Sequence, residues 1–203
     1  MDTVRASFGA SVAFVVQWRT FMIDPRTAEG GEDYLAYNRR RWGGDGWTHE
    51  LRARGARVGA PFARWTWWPN TLRAHALAHY VRAHYGAAAE DALTQLLMEL
   101  TYERGANVSS PAVLEGAVAT LAERVPACRI DVAAAQAAVR ARTGVDAAWD
   151  EDAASKRAGV SGVPFFRISC AGVVPRTRPV TLSGCQPVSA FVRVFERIIS
   201  AAQ

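Results

Sequence analysis

The stretch Gly159-Val160-Ser161-Gly162-Val163-Pro164-Phe165-Phe166-Arg167-Ile168 restricts this chain more than any other part of it. Its aromatic and aliphatic run reads as a strand, yet the run opens on a proline. Proline has no N–H to give to a ladder, so it fits only the first position of a strand or an edge. An X-Pro bond at a tight strand entry is also a natural place for a cis peptide, which exposes the backbone of the preceding residue to a partner. A Leu182-Ser183-Gly184-Cys185-Gln186-Pro187 turn and a closing apolar helix follow.

The 203 residues, 50% of them hydrophobic, fit one domain with a sizeable core. No run is long and apolar enough to span a bilayer. The short run Val12 to Val16 has no basic flank and is too short for a signal segment, so a cytoplasmic chain is expected. The net charge of +5 comes from 23 Arg and one Lys against 19 acids. That bias reads as composition: apart from Arg39-Arg40-Arg41 the arginines are scattered among acids, so neither nucleic acid nor a membrane is an expected partner. Cys128, Cys170 and Cys185 are odd in number and widely spaced, with no Cys-x-x-Cys. They form neither a disulfide framework nor a zinc site, and no metal or cofactor is expected.

Ala13 to Phe21 is β-branched and aromatic and ends at Asp24-Pro25, so it reads as a strand. Helices are expected over Glu32 to Trp42 and Thr48 to Arg57, separated by Gly43-Gly44-Asp45-Gly46. Pro61 to Pro69, with Phe62, Trp65, Trp67 and Trp68, lacks a period and reads as an apolar loop. Helical spacing then dominates from Asn70 to Gly86, Ala89 to Glu103, Ser110 to Arg124, Asp131 to Arg142 and Asp146 to Arg157. Ser110-Pro111 is a cap followed by Pro at the first helical position. After the Pro164 strand come a turn-rich loop at Gly172 to Pro179, a strand at Val180 to Ser183 and a helix from Pro187 to Ala201. Strand, helical block, strand, strand, helix suits a small mixed sheet carrying a helical insertion.

Several motifs, in order, resemble the DsbA family, in particular its FrnE-like branch. Trp18-Arg19-Thr20-Phe21-Met22-Ile23-Asp24-Pro25 is similar to the second strand of that branch, and Tyr34-Leu35 falls where its inserted helices begin. Pro69-Asn70-Thr71-Leu72-Arg73-Ala74-His75 is similar to its Pro-Asn-Thr-x-x-Ala-His segment. Gly159 to Phe166 resembles its cis-proline loop, and Ser183-Gly184-Cys185-Gln186-Pro187 its Ser-Gly-Ala-Gln-Pro turn. The resemblance implies an α/β, thioredoxin-like fold with a large all-helical insertion, whose first strand and active-site helix are absent or truncated here. It implies a single DsbA-like domain over 1–203, with 12–24 and 158–203 as the thioredoxin-fold portion and 25–157 as the insertion.

The front of the chain departs from that pattern. Only seventeen residues precede Trp18, and none is a cysteine; Asp2 to Gly9 matches at most the tail of the active-site helix. Loss of the central first strand removes ladder partners from the Trp18 and Pro164 strands, whose backbone groups must be repaired or exposed.

By resemblance, Val163 and Pro164 hold a peptide or a glutathione-like thiol, and Asn70, Thr71 and His75 line the cleft. A second reading of Asn70 is a helix cap. Cys185 lies at the hairpin end that carries the Pro164 loop; it is either a lone reactive thiol or the filler of an alanine-sized space. Cys170 lies near the opposite end, roughly 15 Å away at about 3.3 Å per residue, beyond disulfide reach. His75 and His79 share a helix face without further metal ligands. The implied activity is thiol–disulfide exchange, inactive or incomplete for want of the dithiol. The alternatives are a non-redox module binding a peptide or glutathione, and a relative of the kappa-type glutathione transferases.

Overall fold

The computed structural model describes residues 2–9, 12–170 and 179–201. The chain is a mixed α/β protein, mostly helical, with two small antiparallel sheets. It divides into two compact units, one of residues 1–16 with 155–203 and one of residues 17–154.

In the unit of residues 17–154, the two-residue strand β1 (Glu32–Asp33) leads into α2 (Tyr34–Trp42). Asp33 caps that helix by accepting the Ala36 N–H at 2.8 Å. Gly43 ends it at φ +76°, a conformation that costs glycine no Cβ clash. α3 (Trp47–Ala56) follows, then β2 (Trp67–Trp68), which pairs antiparallel with β1. The tryptophan segment expected as a loop thus contributes a two-residue strand. Trp65 and Trp68 are buried against Tyr34 and Tyr37, with Tyr37 stacked on Trp68 at 4.0 Å.

The main core lies between α4 (Leu72–Met98), α5 (Pro111–Arg124) and α6 (Val132–Ala141). Val81, Leu93, Leu96, Leu114, Val118 and Leu121 are fully enclosed there. α4 bends at Gly86 (φ +84°), where the sequence places the end of one helix and the approach of the next. A π-helical turn over Glu99–Glu103 completes the run. α7 (Val145–Arg157) begins after Gly144, whose added Cβ would lie 2.6 Å from the Ala76 carbonyl oxygen, so only glycine lets this turn approach α4.

The unit of residues 1–16 and 155–203 holds α1 (Asp2–Phe8), β3 (Phe165–Ile168), β4 (Val180–Ser183) and α8 (Val188–Ser200). Ile168, Val194 and Ile198 form its core, bordered by Phe166, Val180, Leu182, Phe191 and Phe195. Phe14 meets Phe195 edge-on at 4.9 Å, with Phe8 within 6.0 Å of both. β3 and β4 pair antiparallel as expected, Phe165 opposite Ser183 and Ile168 opposite Val180. The loop expected at Gly172 to Pro179 lies almost wholly outside the described residues.

The expected strand Ala13 to Phe21 belongs to neither sheet, and the single mixed sheet is replaced by two separate ladders. The segment is nonetheless built like a strand. Val12, Phe14, Val16, Trp18 and Thr20 turn inward, while Ala13, Val15, Gln17 and Arg19 are exposed. The sequence dictates an extended, half-buried segment; a ladder needs a second segment beside it, and no described strand takes that place.

Candidate functional site

Two regions contain the residues singled out by sequence, one in each unit. In the unit of residues 1–16 and 155–203, the Val163–Pro164 peptide is cis. Pro164 is exposed and Val163 is 48% exposed. The Gly184 N–H donates to the Pro164 carbonyl at 2.8 Å, and this bond fixes the phase of the hairpin. Because carbonyls and N–H groups alternate sides along a strand, the backbone of Phe166 and Ile168 faces β4. The N–H and C=O of Phe165 and Arg167 face the opposite edge, where no described strand lies. Cys185, exposed and unbridged, follows Gly184 directly and borders the Pro164 entry. Cys170 follows the other end of β3.

In the unit of residues 17–154, Asn70, Thr71 and His75 stand at the start of α4. The Asn70 side chain is committed at both ends: Oδ1 accepts the Leu72 N–H at 3.1 Å and Nδ2 donates to the Thr27 carbonyl at 2.7 Å. Those bonds order the entry to the helix, as a cap does. Thr71 forms no side-chain cap bond, and its carbonyl accepts the His75 N–H at 2.9 Å. Burial, followed by the neighbouring His79, pushes the His75 imidazole down to about 4, so the ring is neutral at pH 7.

One helical turn on lies a polar network that the sequence reading did not assemble. His79 Nε2 stands 3.1 Å from Thr20 Oγ1 and 3.2 Å from Glu151 Oε2. Glu151 also accepts the Thr20 backbone N–H and an Arg19 guanidinium N–H, both at 2.8 Å. The adjacent Asp152 accepts the buried Met22 N–H at 2.7 Å. Trp18 Nε1 donates to Asp91 at 2.8 Å. The N–H groups of Thr20 and Met22 share one side of the extended segment, and two successive carboxylates of α7 take the place of a neighbouring strand.

Burial lowers the His79 pKa, and Glu151 only partly offsets it. Burial by itself would raise Glu151, but the bonds from Arg19 and the Thr20 N–H outweigh it and hold the carboxyl below its ordinary value. Glu90 differs: burial raises its pKa against the pull of Arg82, and its Oε2 is buried without a partner among the described residues. Thr20 and Glu151 both approach the same nitrogen of His79, so the ring cannot relay a proton between them as a nucleophile–base–orienter triad would. The network is an anchor for the segment. Its one sequence signal is the Asp150-Glu151-Asp152 run on α7, 131 residues from Thr20.

Among the described residues no cluster of His, Cys, Asp and Glu has the arrangement to hold a metal ion, and no helix is long and apolar enough to cross a membrane. No family model and no curated protein matches this chain.

Proposed function

We propose that this chain holds an extended peptide along the outer edge of β3, as the substrate-holding part of a DsbA-like, thioredoxin-fold protein of thiol–disulfide exchange. The observation that carries the reading is the outward backbone of Phe165 and Arg167, at a strand entry where Val163 and Pro164 are exposed. An extended peptide meets such an edge by adding a strand: main-chain bonds supply affinity, and alternate side chains supply selectivity. The motif order from Trp18 to Pro187 supports the family. The substrate class is a thiol- or disulfide-bearing peptide. Exchange itself requires an activated thiolate with a resolving partner, and the sequence has no Cys-x-x-Cys. Cys185 borders the edge as a single thiol.

The test uses the full chain and a fluorescein-labelled insulin B chain with alkylated cysteines, followed by anisotropy. Saturable binding is expected. Arg167→Pro removes an N–H that points away from β4, so it should weaken binding about tenfold or more while the hairpin persists by circular dichroism. Insulin reduction with a thiol donor should show no turnover. Unaltered peptide binding by Arg167→Pro overturns the holding role, and turnover that survives Cys185→Ala overturns the absence of exchange chemistry.

A further inference from the structure

The chain's excess charge is confined to one segment. Residues 34–66 carry seven Arg against two acids, a net +5, whereas the other residues carry 17 basic and 17 acidic groups. That segment comprises α2, the glycine turn, α3 and the approach to β2. Among the described residues, Arg39, Arg41, Arg57 and Arg64 are exposed and form no ion pair with a carboxylate, unlike Arg40 on Glu32 and Arg54 on Glu50.

At the corner between α2 and α3, Trp42 and Trp47 are 46% and 47% exposed, with ring centroids 6.4 Å apart. The Arg41 guanidinium lies over the Trp42 ring at 4.4 Å. Trp47 is fixed by its Nε1–H bond to Asn38 Oδ1 at 2.8 Å and by an edge contact to Trp65. The three arginines of the last helical turn suit the negative end of the α2 dipole. That position accounts for their compatibility with the helix, not for two half-exposed tryptophans beside them.

We propose that this corner binds a single-stranded nucleic acid, with bases stacked on Trp42 and Trp47 and phosphates on Arg39 and Arg41. Half-exposed rings, one of them fixed, beside guanidiniums without carboxylate partners are what such a strand meets in stacking platforms, and they need no base sequence. A duplex offers no free base face to the rings. Insertion among lipid chains needs apolar groups that project from the surface, whereas these indoles lie half-packed against their own unit. The proposal departs from the expectation, drawn from the scatter of arginines over the whole chain, that nucleic acid is not a partner.

The test is anisotropy of a labelled thymidine oligonucleotide of about 12 nucleotides, titrated with the full chain between about 50 and about 200 mM salt. Trp42→Ala should weaken binding about tenfold. The double variant Arg39→Gln/Arg41→Gln should reduce the slope of log affinity against log salt by about 1.4, at about 0.7 per phosphate contact. Arg157→Gln, an exposed charge outside the segment, should bind nearly as the parent does, and a duplex of the same length should bind more weakly. Circular dichroism confirms that each variant is folded. Four results overturn the proposal: no saturable binding, equal binding by Trp42→Ala, an unmoved salt slope, or equal affinity for the duplex. Binding to phosphatidylserine-containing vesicles without oligonucleotide binding also overturns it and assigns the corner to a lipid surface.

Discussion

Two of the segments with the sequence character of strands end differently. Among the described strands β3 obtains one neighbour, β4, and its other edge has none. Val12 to Met22 obtains no strand neighbour among the described residues, although its residues alternate inward and outward as a strand's do. In its later half the backbone is held by side chains instead, Thr20 on Glu151 and Met22 on Asp152. Extended conformation is therefore a local property, set by β-branched and aromatic residues, whereas a ladder is a property of pairs. Where the partner strand is lacking, carboxylates on a helix supply acceptors, but a side chain satisfies single N–H groups and cannot offer a continuous row.

The contrast can be broken most forcefully at β3. Phe166→Pro removes an N–H that faces β4 and should destabilise the hairpin by about 3 kcal/mol, the upper end for a hydrogen-bond partner left unsatisfied, seen as loss of strand signal and a lower urea midpoint. Glu151→Ala is the matching test on the other segment. It removes the carboxylate that accepts the Thr20 N–H and one of the Arg19 N–H groups and should cost about 2–3 kcal/mol in urea unfolding. If Glu151→Ala changes stability by less than about 0.5 kcal/mol, within the range of an ordinary surface substitution, the carboxylates do not replace a strand.

Acidification separates the two segments further. An unfolded His75 takes up a proton near its ordinary 6.5, while the folded residue does so only at about 4. Between those values the unfolded chain binds more protons, so stability falls as pH drops through that window, by at most about 1.4 kcal/mol per pH unit for one group. His79 is shifted in the same direction. Glu151 has a depressed folded pKa, so its contribution is present above the unfolded carboxyl value and is lost as pH falls through the folded one. Urea midpoints measured across the window should decline for the parent, and His75→Gln should flatten the decline. The smallest effect belongs to Arg167→Pro, whose N–H points away from β4. It should change stability by less than about 1 kcal/mol, against the larger loss for Phe166→Pro. Equal losses for the two prolines would contradict the deduced phase of β3, and a larger loss for Arg167→Pro would invert it.

Much of this architecture is legible in the sequence where structure is local. The Ser110-Pro111 start, the Gly86 interruption and the Pro164 strand entry all lie where the residues place them. Cys185 follows from the hairpin as a neighbour of the Pro164 entry. The pairing of Glu32–Asp33 with Trp67–Trp68 is not legible, because two-residue strands carry no period and their union depends on burying Trp65 and Trp68. Nor is the role of Glu151, since nothing near Thr20 in sequence announces an acceptor 131 residues away. Asn70 reads as either a cap or a cleft residue; its two bonds at the helix entry are contacts that only folding reveals. The charge of residues 34–66 was visible all along but is diluted when counted over the whole chain.

The division into two units also gives the chain a built-in optical label. All seven tryptophans lie between Trp18 and Trp149, inside the unit of residues 17–154, while the other unit carries phenylalanine and no indole. Selective indole emission during unfolding therefore reports one unit alone, and far-ultraviolet dichroism, which senses every helix, reports both. Superimposable curves mark a single cooperative transition; separated curves resolve two without any added probe.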